Sequence, residues 1–540
     1  MVPGRRPEPP TVVVVGGGIA GLAAAWELTG GAEGTTGSSP RVVVLEATDH
    51  LGGKLRSGAL GGQTVDLGPD GFLARRPEAA TLCREIGLGD ELVPIGASGA
   101  SVWARGRLRP LPDGLALGVP TRFRPAARSG ILGFAGSFRL LIDLISPRPD
   151  LRGPLGDRAI GPLVSRKLGS RVVERLVDPL VGGIHAGSVA DMSAAAVFPL
   201  LLAAAQQRGS FMRALRRASS RAVQAPAGEA GAAGAAGPTA APAIGAVAAD
   251  AEAEPAFWAL RGGMGSLVDG LASALAGRGA VIRTESPVEL IDRGAAPGRN
   301  WVLHTADGPV QADGIVLAVP APAAADLLAP HEADASTLLR GIDHASVALV
   351  TLSYPEAAVP GPLHGTGLLV PQDSSPLVPE PGPGAGPDGG PTPTGSPADG
   401  APLVTACTYL SRKWPHLARP GSVLIRASVG RHGDDRADPL DDAALVDRVV
   451  RELQVLVGTT GQPHRWRVTR WPDAFPQYRV HHLLRVTGIE GAVKRLPAIA
   501  VAGAAYRGVG IPACVGSGRN AARSVLEELA VPAGEIGPTR

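Results

Sequence analysis

Cysteine is scarce in this chain of 540 residues, with only three copies that lie far apart. Cys83, Cys407 and Cys514 form no CxxC pair and share no metal-ligand spacing. We therefore expect neither a disulfide framework nor a zinc or other metal site. So few cysteines in a chain long enough for two or three domains favour a reducing compartment, and we expect a cytoplasmic protein.

Long apolar runs and blocks of one charge are also missing. The longest apolar stretch, Ala194–Ala205, contains Pro199 and is too short to cross a bilayer. The apolar run at Val12 follows a short polar tail, so we expect it to be a buried strand and not a signal sequence. The formal net charge is +3, and no basic block is present, so we expect no nucleic-acid partner.

Glycine and proline are abundant, with 74 and 51 copies, and part of this excess lies in three low-complexity segments. These segments, 30–40, 224–255 and 371–402, hold too few apolar side chains to offset the entropy of ordering them. Patterned sequence continues on both sides of each segment. We therefore predict flexible insertions within domains.

The first motif is Gly16-x-Gly18-x-x-Gly21, which follows the β-branched run "TVVVV" and precedes a helical pattern. In this position the first glycine permits a tight turn, the second lets the backbone approach a pyrophosphate, and the third allows close helix–strand packing. A second buried strand, "RVVVL", ends before Glu46, whose carboxylate would accept hydrogen bonds from a ribose. The pattern predicts a dinucleotide site on an α/β fold.

Two further glycine motifs follow the ribose acid. Gly52-Gly53 and the basic Lys54 resemble the extended fingerprint of FAD enzymes of the amine-oxidase type, in which the glycines pass close to the diphosphate. The turn Gly68–Gly71 follows a predicted strand and would run beside the flavin. By itself this Gly-Pro-Asp-Gly stretch is an ordinary β-turn.

Several later blocks resemble the protoporphyrinogen/coproporphyrinogen oxidases of haem biosynthesis, and most closely the coproporphyrinogen III oxidases of Gram-positive bacteria. The resemblance extends from Val12 to about Leu529. The blocks are "GPDGFLARRP", "SRKLGSRVVERLVDPLVGGIHAGSVADMSAAAVFP", "TACTYLSRKWPH", "RWPDAFPQYRVHH" and "GVGIPACVGSGRNAA".

The resemblance implies an α/β fold with a Rossmann-like FAD-binding domain built from discontinuous segments, a mixed α+β substrate domain and a helical domain. We expect the FAD-binding domain at 11–80, 256–330 and 485–530. The segment 81–223 is expected to be helical, to line a cavity or touch a membrane, and to form part of the substrate domain. The substrate-binding domain is expected at 331–484.

The resemblance also implies which residues contact FAD. Val288 would contact the adenine through its backbone, and Trp471 would lie near the isoalloxazine. The residues alone leave an alternative open for each: Val288 as an ordinary strand residue, and Trp471 as an aromatic residue of the core. The implied contacts are Gly16, Gly17, Gly18, Ile19, Ala20, Gly21, Glu46, Ala47, Lys54, Gly68, Pro69, Asp70, Gly71, Val288, Trp471, Val509, Gly510 and Ile511.

The implied activity is removal of six electrons from a porphyrinogen in three two-electron steps, with O2 as final acceptor and H2O2 as product. The implied substrate is coproporphyrinogen III, with protoporphyrinogen IX as the alternative, and the product would pass to a ferrochelatase. An FAD amine oxidase, a carotenoid desaturase-like enzyme and a non-catalytic flavin-binding protein also stay open. No residue pattern identifies a catalytic base.

The chain departs from the family at three positions. His185 stands where the family usually has Tyr, His481 where it has Gly, and Ala513 where it often has Asp. His185 would lie near the substrate cavity and could take part in proton transfer, or be a structural histidine.

Two other features allow two interpretations each. Arg75 and Arg76 could pair with substrate carboxylates, or be solvated surface residues. The segment Ser129–Pro147 has apolar residues at helical spacing and few charges. It could pack in a core, line a cavity or touch a membrane surface.

Overall fold

The computed structural model of the chain describes residues 9–31, 39–145, 156–224, 255–294, 300–372, 374, 377 and 401–530. Most of the three predicted insertions therefore lies outside the described residues. The strands are β1 Thr11–Val15, β2 Arg41–Leu45, β3 Ser57–Leu60, β4 Gln63–Asp66, β5 Phe72–Leu73, β6 Leu92–Pro94, β7 Ser101–Ala104, β8 Arg107–Pro110, β9 Leu115–Ala116, β10 Val119–Pro120, β11 Phe257–Leu260, β12 Val281–Arg283, β13 Val288–Arg293, β14 Trp301–Thr305, β15 Gly308–Ala312, β16 Gly314–Leu317, β17 His344–Pro355, β18 Gly367–Leu369, β19 Val404–Tyr409, β20 Ser422–Val429, β21 Arg465–Pro476 and β22 Ile499–Val501.

Helices fill most of the sequence between these strands. A π-helical segment, Val173–Gly182, joins α6 to α7, and short 3₁₀ turns lie at Gly89–Glu91, Glu356–Ala358 and Pro415–Leu417. The helices are α1 Ile19–Leu28, α2 Pro77–Glu85, α3 Phe123–Arg128, α4 Gly133–Ile145, α5 Ile160–Leu168, α6 Ser170–Val172, α7 Gly183–His185, α8 Ala194–Val197, α9 Pro199–Ala205, α10 Phe211–Gln224, α11 Gly265–Gly277, α12 Ala321–Leu328, α13 Ala333–Arg340, α14 Leu410–Lys413, α15 Asp442–Leu456, α16 His482–Val493 and α17 Ile511–Ala530.

A five-stranded parallel sheet forms the first core, in the order β12-β2-β1-β16-β22. Its central strand places Val13 between Val43 and Ile315, and all three side chains are buried. Helices cover one face, and the sheet β13-β14-β15 together with helices covers the other, which explains why these strands are continuous β-branched runs without a polar face. The carboxyl ends of all five strands meet at one edge, where open α/β sheets bind their ligands.

A seven-stranded mixed sheet forms the second core, in the order β21-β17-β20-β19-β18-β7-β8. Helix α15 packs its apolar face on this sheet, with Leu445, Val449 and Leu453 fully buried. The smaller sheets are β13-β14-β15 and β5-β11-β6, and the hairpins are β3-β4 and β9-β10.

Helices α3 to α10 build a third core around Phe198, Phe211 and Ile131. Helix α4 contributes only one face to it: Leu140 is buried, whereas Phe134 is 90% exposed and Phe138 is 56% exposed. Core packing therefore accounts for one side of the segment that begins at Ser129. No helix in the described ranges has the length and apolar character that a membrane span requires.

The expected fold class is confirmed: a parallel-sheet domain, a mixed α+β part and a helical part are all present. Strands of the parallel sheet come from Thr11–Leu45, from Val281–Leu317 and from Ile499–Val501, so this domain is discontinuous in sequence. The domain limits given above stay a prediction.

The two glycine-rich ends of the chain pack against each other. A Cβ on Gly518 of α17 would overlap the carbonyl oxygen of Ala20 in α1, so the two helix backbones are in direct contact. Arg523 of α17 pairs with Glu27 of α1 at 2.6 Å. The C-terminal strand and helix thus complete the sheet that the N-terminal strand begins.

Candidate functional site

The glycine loop after β1 lies at the carboxyl edge of the parallel sheet. A Cβ on Gly21 would overlap the carbonyl oxygen of Gly16, so this glycine is required for the helix to start directly above the strand. A Cβ on Gly18 would meet no atom within 4 Å. Gly18 therefore faces open space at the N-terminus of α1, where backbone N–H groups and the helix dipole favour a phosphate.

Glu46 follows β2 and contacts this loop. Its Oε2 accepts a hydrogen bond from the Gly17 amide at 2.7 Å, and its Oε1 accepts from the Thr48 amide and hydroxyl. The Ser286 amide donates to the Glu46 carbonyl at 2.8 Å, which brings the segment before Val288 to the same place. The predicted ribose and adenine positions are thus adjacent.

The double glycine lies across from the first loop. The Gly52 amide donates to the Gly17 carbonyl at 2.8 Å, and a Cβ on Gly53 would lie 3.5 Å from the Gly18 Cα. Lys54 follows and is half-buried, and burial lowers the pKa of its ammonium. The Lys54 charge acts on Cys514 of α17 and on His344 of β17, so the ammonium lies within electrostatic range of the C-terminal turn.

The turn Leu67–Gly71 needs its glycines for packing against protein. A Cβ on Gly68 would overlap the carbonyl oxygen of Lys54, and one on Gly71 would lie 2.6 Å from the Trp414 ring. The indole Nε1 of Trp471 donates to the Leu67 carbonyl at 2.7 Å. Trp471, predicted to lie near the isoalloxazine, thus uses its polar atom to hold this turn.

The Asp70 side chain is buried and engaged with the seven-stranded sheet. It pairs with Lys413 at 3.0 Å and with Arg426 at 3.2 Å, and it accepts from the Trp414 indole at 3.0 Å. The Lys413 and Arg426 charges lower the pKa of Asp70 despite burial, which acts in the opposite direction. The carboxylate is therefore ionised and committed to protein partners.

The opening of the C-terminal turn is held by Tyr478. Its hydroxyl donates to the Ala504 carbonyl at 2.5 Å and accepts from the Gly508 amide at 2.7 Å. The Tyr478 ring stacks on His482 at 3.9 Å between centroids, and His482 Nε2 lies 2.8 Å from the Tyr506 carbonyl. These contacts fix the backbone that leads to Val509, Gly510 and Ile511, the predicted flavin contacts.

His185 ends α7 close to this turn, and its side chain is 6% exposed. Burial lowers the pKa of His185 to about 4, so the imidazole is neutral at pH 7. Its ring centroid is 6.4 Å from that of Tyr478, and its backbone carbonyl accepts from Gln477 Nε2 at 3.1 Å. Val509 and Tyr478 pack in the same cluster of the helical part.

The structure also shows the surroundings of Arg76, His481 and Ala513, which the sequence singled out. Arg76 forms an ion pair with Glu78 at 2.5 Å. His481 adopts a left-handed conformation with φ 71°, which explains a preference for Gly at this position, and its amide donates to Asp157 at 2.7 Å. A Cβ on Gly508 would lie 2.7 Å from that of Ala513.

The residues at this edge fit a dinucleotide that carries a flavin. The loops at Gly16–Gly21 and Gly52–Gly53, a helix N-terminus and Glu46 meet at one end, and the turns at 67–71 and 508–511 supply the other. The individual contacts predicted from the sequence stay a proposal. Within the described ranges, no three His, Cys, Asp or Glu residues are grouped to hold a metal ion, and the three cysteines are buried and unpaired.

Trp471, which holds one of the two turns, was predicted as a flavin contact, but the sequence assigned no role to the other side chains that hold them. Lys413, Trp414 and Tyr478 lie within the "KWPH" and "PQYRVHH" blocks, so the family resemblance was the available signal. Arg426 is buried inside the apolar strand β20. A lone arginine in "SVLIRASV" was the signal that could have identified it, because a buried arginine requires partners.

Asp66, at the end of β4, should make stability depend on pH. Burial raises its pKa to about 6 from 3.8, while hydrogen bonds from Ser57 and Met264 oppose that shift. The folded state binds this proton more tightly than the unfolded chain, so stability falls as pH rises from about 4 to 6, by up to about 3 kcal/mol.

Asp66→Asn removes this titration. Its Tm relative to the unsubstituted protein should therefore rise between about pH 4.5 and pH 7.5. Thermal unfolding of both holoproteins at the two pH values measures the difference. A relative Tm that stays constant, or falls, would show that Asp66 is already ionised in the folded protein at the lower pH.

Comparison with known proteins places this geometry in a family. The profile of the "Flavin containing amine oxidoreductase" family matches residues 19–526. The coproporphyrinogen III oxidase of Propionibacterium freudenreichii is 37% identical over 96% of this chain and 90% of its own length. The coproporphyrinogen III oxidase of Bacillus subtilis is 29% identical over 96% and 98%.

A solved structure shows the same architecture. A protein from an Exiguobacterium species that carries the name of a protoporphyrinogen oxidase superposes with a TM-score of 0.76 at 30% identity, covering 96% of this chain and 99% of its own. The similarity thus extends over nearly the whole length of each protein. This chain belongs to the flavin containing amine oxidoreductase family, and the coproporphyrinogen III oxidases are among its relatives within it.

Proposed function

We propose that this protein oxidises coproporphyrinogen III to coproporphyrin III, with O2 as acceptor and H2O2 as product. One observation carries the proposal: relatives named coproporphyrinogen III oxidase match nearly the whole chain, including the blocks that hold the two turns of the site. The enzyme is an oxidoreductase, and FAD is its cofactor. When bound, FAD supplies two-electron redox chemistry, and the protein supplies binding, orientation and exclusion of water.

Different segments of this chain would bind different parts of FAD. The loops at Gly16–Gly21 and Gly52–Lys54 would hold the diphosphate, and Glu46 the ribose. The turn at Gly68–Gly71 and the segment Val509–Ile511 would lie along the redox-active ring. The N-terminus of α17 begins at Ile511, where partial positive charge stabilises negative charge that develops on a bound group.

We propose that His185 accepts a proton from the porphyrinogen. Its burial keeps the imidazole neutral at pH 7, and its ring centroid lies 6.4 Å from that of Tyr478, whose hydroxyl accepts from the Gly508 amide. A neutral imidazole can accept a proton as each pair of electrons leaves the macrocycle.

His185→Ala should lower turnover at least about tenfold, within the range typical for loss of a general base, while flavin content stays normal. Steady-state oxygen uptake with flavin absorbance in the same sample measures both. His464→Ala, a change at an exposed histidine next to β21, is the matched control and should retain full turnover. Unchanged turnover in His185→Ala would make this histidine structural.

Protoporphyrinogen IX is the second candidate substrate, because the Exiguobacterium relative carries the name of an oxidase for it. Coproporphyrinogen carries four propionates and protoporphyrinogen two, so the former needs more cationic partners. Arg76 is paired with Glu78. Substitution of Arg75 and of Arg76, each by itself, tests whether either residue pairs with substrate propionates.

Oxygen uptake by the purified flavoprotein tests the activity directly. We expect oxidation of coproporphyrinogen III, formation of H2O2, and a lower kcat/KM for protoporphyrinogen IX. A preference for protoporphyrinogen IX would select the second substrate. Oxidation of neither, by a protein that binds FAD, would reject the proposed function.

We further propose that this protein is cytoplasmic and contacts a membrane surface peripherally. We also propose that it passes its product to a ferrochelatase. Phe134, Phe138 and Ile145 form an exposed apolar face on α4, and Ile145 is 72% exposed. Such a face can enter the interfacial region of a bilayer. Phe134→Ser together with Phe138→Ser should reduce co-sedimentation with phosphatidylglycerol vesicles; equal sedimentation of both proteins would reject the membrane contact.

A further inference from the structure

The turn Leu67–Gly71 is enclosed by protein on several sides. On one side, the Lys54 backbone and the Trp414 ring leave no room for a side chain at Gly68 or Gly71. On the other, donors from the seven-stranded sheet reach the turn. The Trp471 indole donates to the Leu67 carbonyl at 2.7 Å, and Arg426 Nη1 donates to the Gly68 carbonyl at 2.9 Å.

Asp70 connects this turn to strand β20 and to the end of helix α14 through its side chain. Lys413 Nζ lies 3.0 Å from Oδ1 and 3.1 Å from Oδ2. The Trp414 indole and Arg426 Nη2 both contact Oδ2, at 3.0 Å and 3.2 Å. Arg426 thus uses one nitrogen for the carboxylate and the other for the backbone of the turn, a geometry that lysine cannot reproduce.

These four residues, Asp70, Lys413, Trp414 and Arg426, are called the Asp70 cluster below. Their side chains are largely buried: the Asp70 side chain is 10% exposed and that of Arg426 is 8% exposed. Charge-assisted hydrogen bonds in such surroundings are short and directional, so they define one position of the turn.

We propose that the Asp70 cluster is a positioning site that sets where the turn Leu67–Gly71 lies along the flavin, and so couples flavin affinity and potential to the seven-stranded sheet. The inference rests on the proposed FAD site. It assigns Asp70 a role through its partners, since its carboxylate is occupied by protein donors. It also gives "KWPH" a physical function, because Lys413 and Trp414 place two donors on one carboxylate.

The hydrogen bonds of the Asp70 cluster are more specific than an ion pair that only stabilises the fold would need to be. The protein holds other buried or half-buried ion pairs, such as Arg436 with Asp434 at 2.7 Å and Arg448 with Glu452 at 2.9 Å. The carboxylates of those pairs accept from backbone amides at Leu403, Val404 and Arg436, which lie outside the turn. In the Asp70 cluster, by contrast, every donor reaches the turn itself, either its carbonyls or the Asp70 carboxylate.

Asp70→Asn tests the proposal because it keeps the volume and removes the charge. We expect the FAD dissociation constant, measured by titrating apoprotein with FAD, to rise at least about tenfold, equivalent to about 1.4 kcal/mol. The reduction potential of the variant holoprotein, measured by dye equilibration without substrate, should shift, and its visible flavin band should move. Asp434→Asn, which breaks an ion pair away from the turn, is the matched control and should change none of these.

If Asp70→Asn does not fold, Lys413→Met is the second test of the proposal. The Lys413 side chain is more exposed than that of Asp70, so we expect its substitution to disturb folding less. It should shift the same quantities in the same direction. Wild-type FAD affinity and potential in a folded Asp70→Asn or Lys413→Met holoprotein would overturn the proposal. If the protein binds FAD and these shifts occur, but no porphyrinogen is oxidised, the proposed function fails and the positioning role stands.

Discussion

Gly18→Val should leave the protein folded and remove most of its affinity for FAD. Gly18 has φ −69° and ψ 172°, an extended conformation that valine adopts readily, and a Cβ there meets no protein atom within 4 Å. The added side chain would occupy the space in which the pyrophosphate approaches the backbone. We expect the FAD dissociation constant to rise at least roughly 100-fold, or about 2.8 kcal/mol.

Gly21→Val is the matched contrast within the same motif. Its Cβ would overlap the Gly16 carbonyl oxygen, so the strand and helix could not keep their positions. We expect the loss of folded protein, with a cost above the roughly 1–3 kcal/mol of ordinary overpacking. Circular dichroism and FAD titration of both apoproteins separate the two effects. A Gly18→Val protein with normal FAD affinity would show that the cofactor lies elsewhere.

Asp178→Ala should destabilise the protein by about 3–5 kcal/mol, the range found when one partner of a buried ion pair is removed. Asp178 Oδ2 pairs with Arg431 at 3.1 Å, and Oδ1 accepts from the Val189 amide at 3.1 Å. The Arg431 side chain is 4% exposed, so its guanidinium would be left buried without its counter-charge. The next residue, His432, donates its amide to the Ala186 carbonyl at 2.7 Å, so the His185 turn should also loosen.

A double variant provides the control for this prediction. Asp178→Leu with Arg431→Met removes both charges and keeps most of the volume, so it should recover most of the lost stability. Denaturant midpoints of the three proteins measure the differences. If Asp178→Ala alone is as stable as the unsubstituted protein, the pair does not hold the turn that carries His185.

Local patterns were sufficient to predict the first strands of the parallel sheet and the glycine turn between β1 and α1. The β-branched runs at Val12 and Val42 are typical of buried strands, and the structure has strands there. The glycine spacing from Gly16 to Gly21 satisfies a steric requirement within six consecutive residues. Because these constraints act between near neighbours in sequence, they are visible without the tertiary structure. The acid that ends the second strand, Glu46, follows from the same logic.

The direction of the Asp70 side chain could not be predicted in this way. Its partner Lys413 is 343 residues distant in sequence, and the contact exists only because two cores are packed together. The sequence predicted Gly68–Gly71 as a flavin turn but gave no reason for "KWPH". Likewise, Tyr478 and Gly508 come together through the packing of the helical core against the parallel sheet.

By itself, the sequence determined that this protein has a dinucleotide-binding α/β domain, whose N-terminal phosphate loop and C-terminal glycine turn resemble two ends of one flavin site. Only the tertiary structure decided how the two ends are held, with Gly518 against Ala20, Asp70 among its cations and Tyr478 between Ala504 and Gly508. The physical reason is that glycine spacing encodes backbone geometry locally. Pairing of buried charges and hydroxyls depends on which distant segments the packed cores bring within hydrogen-bond distance.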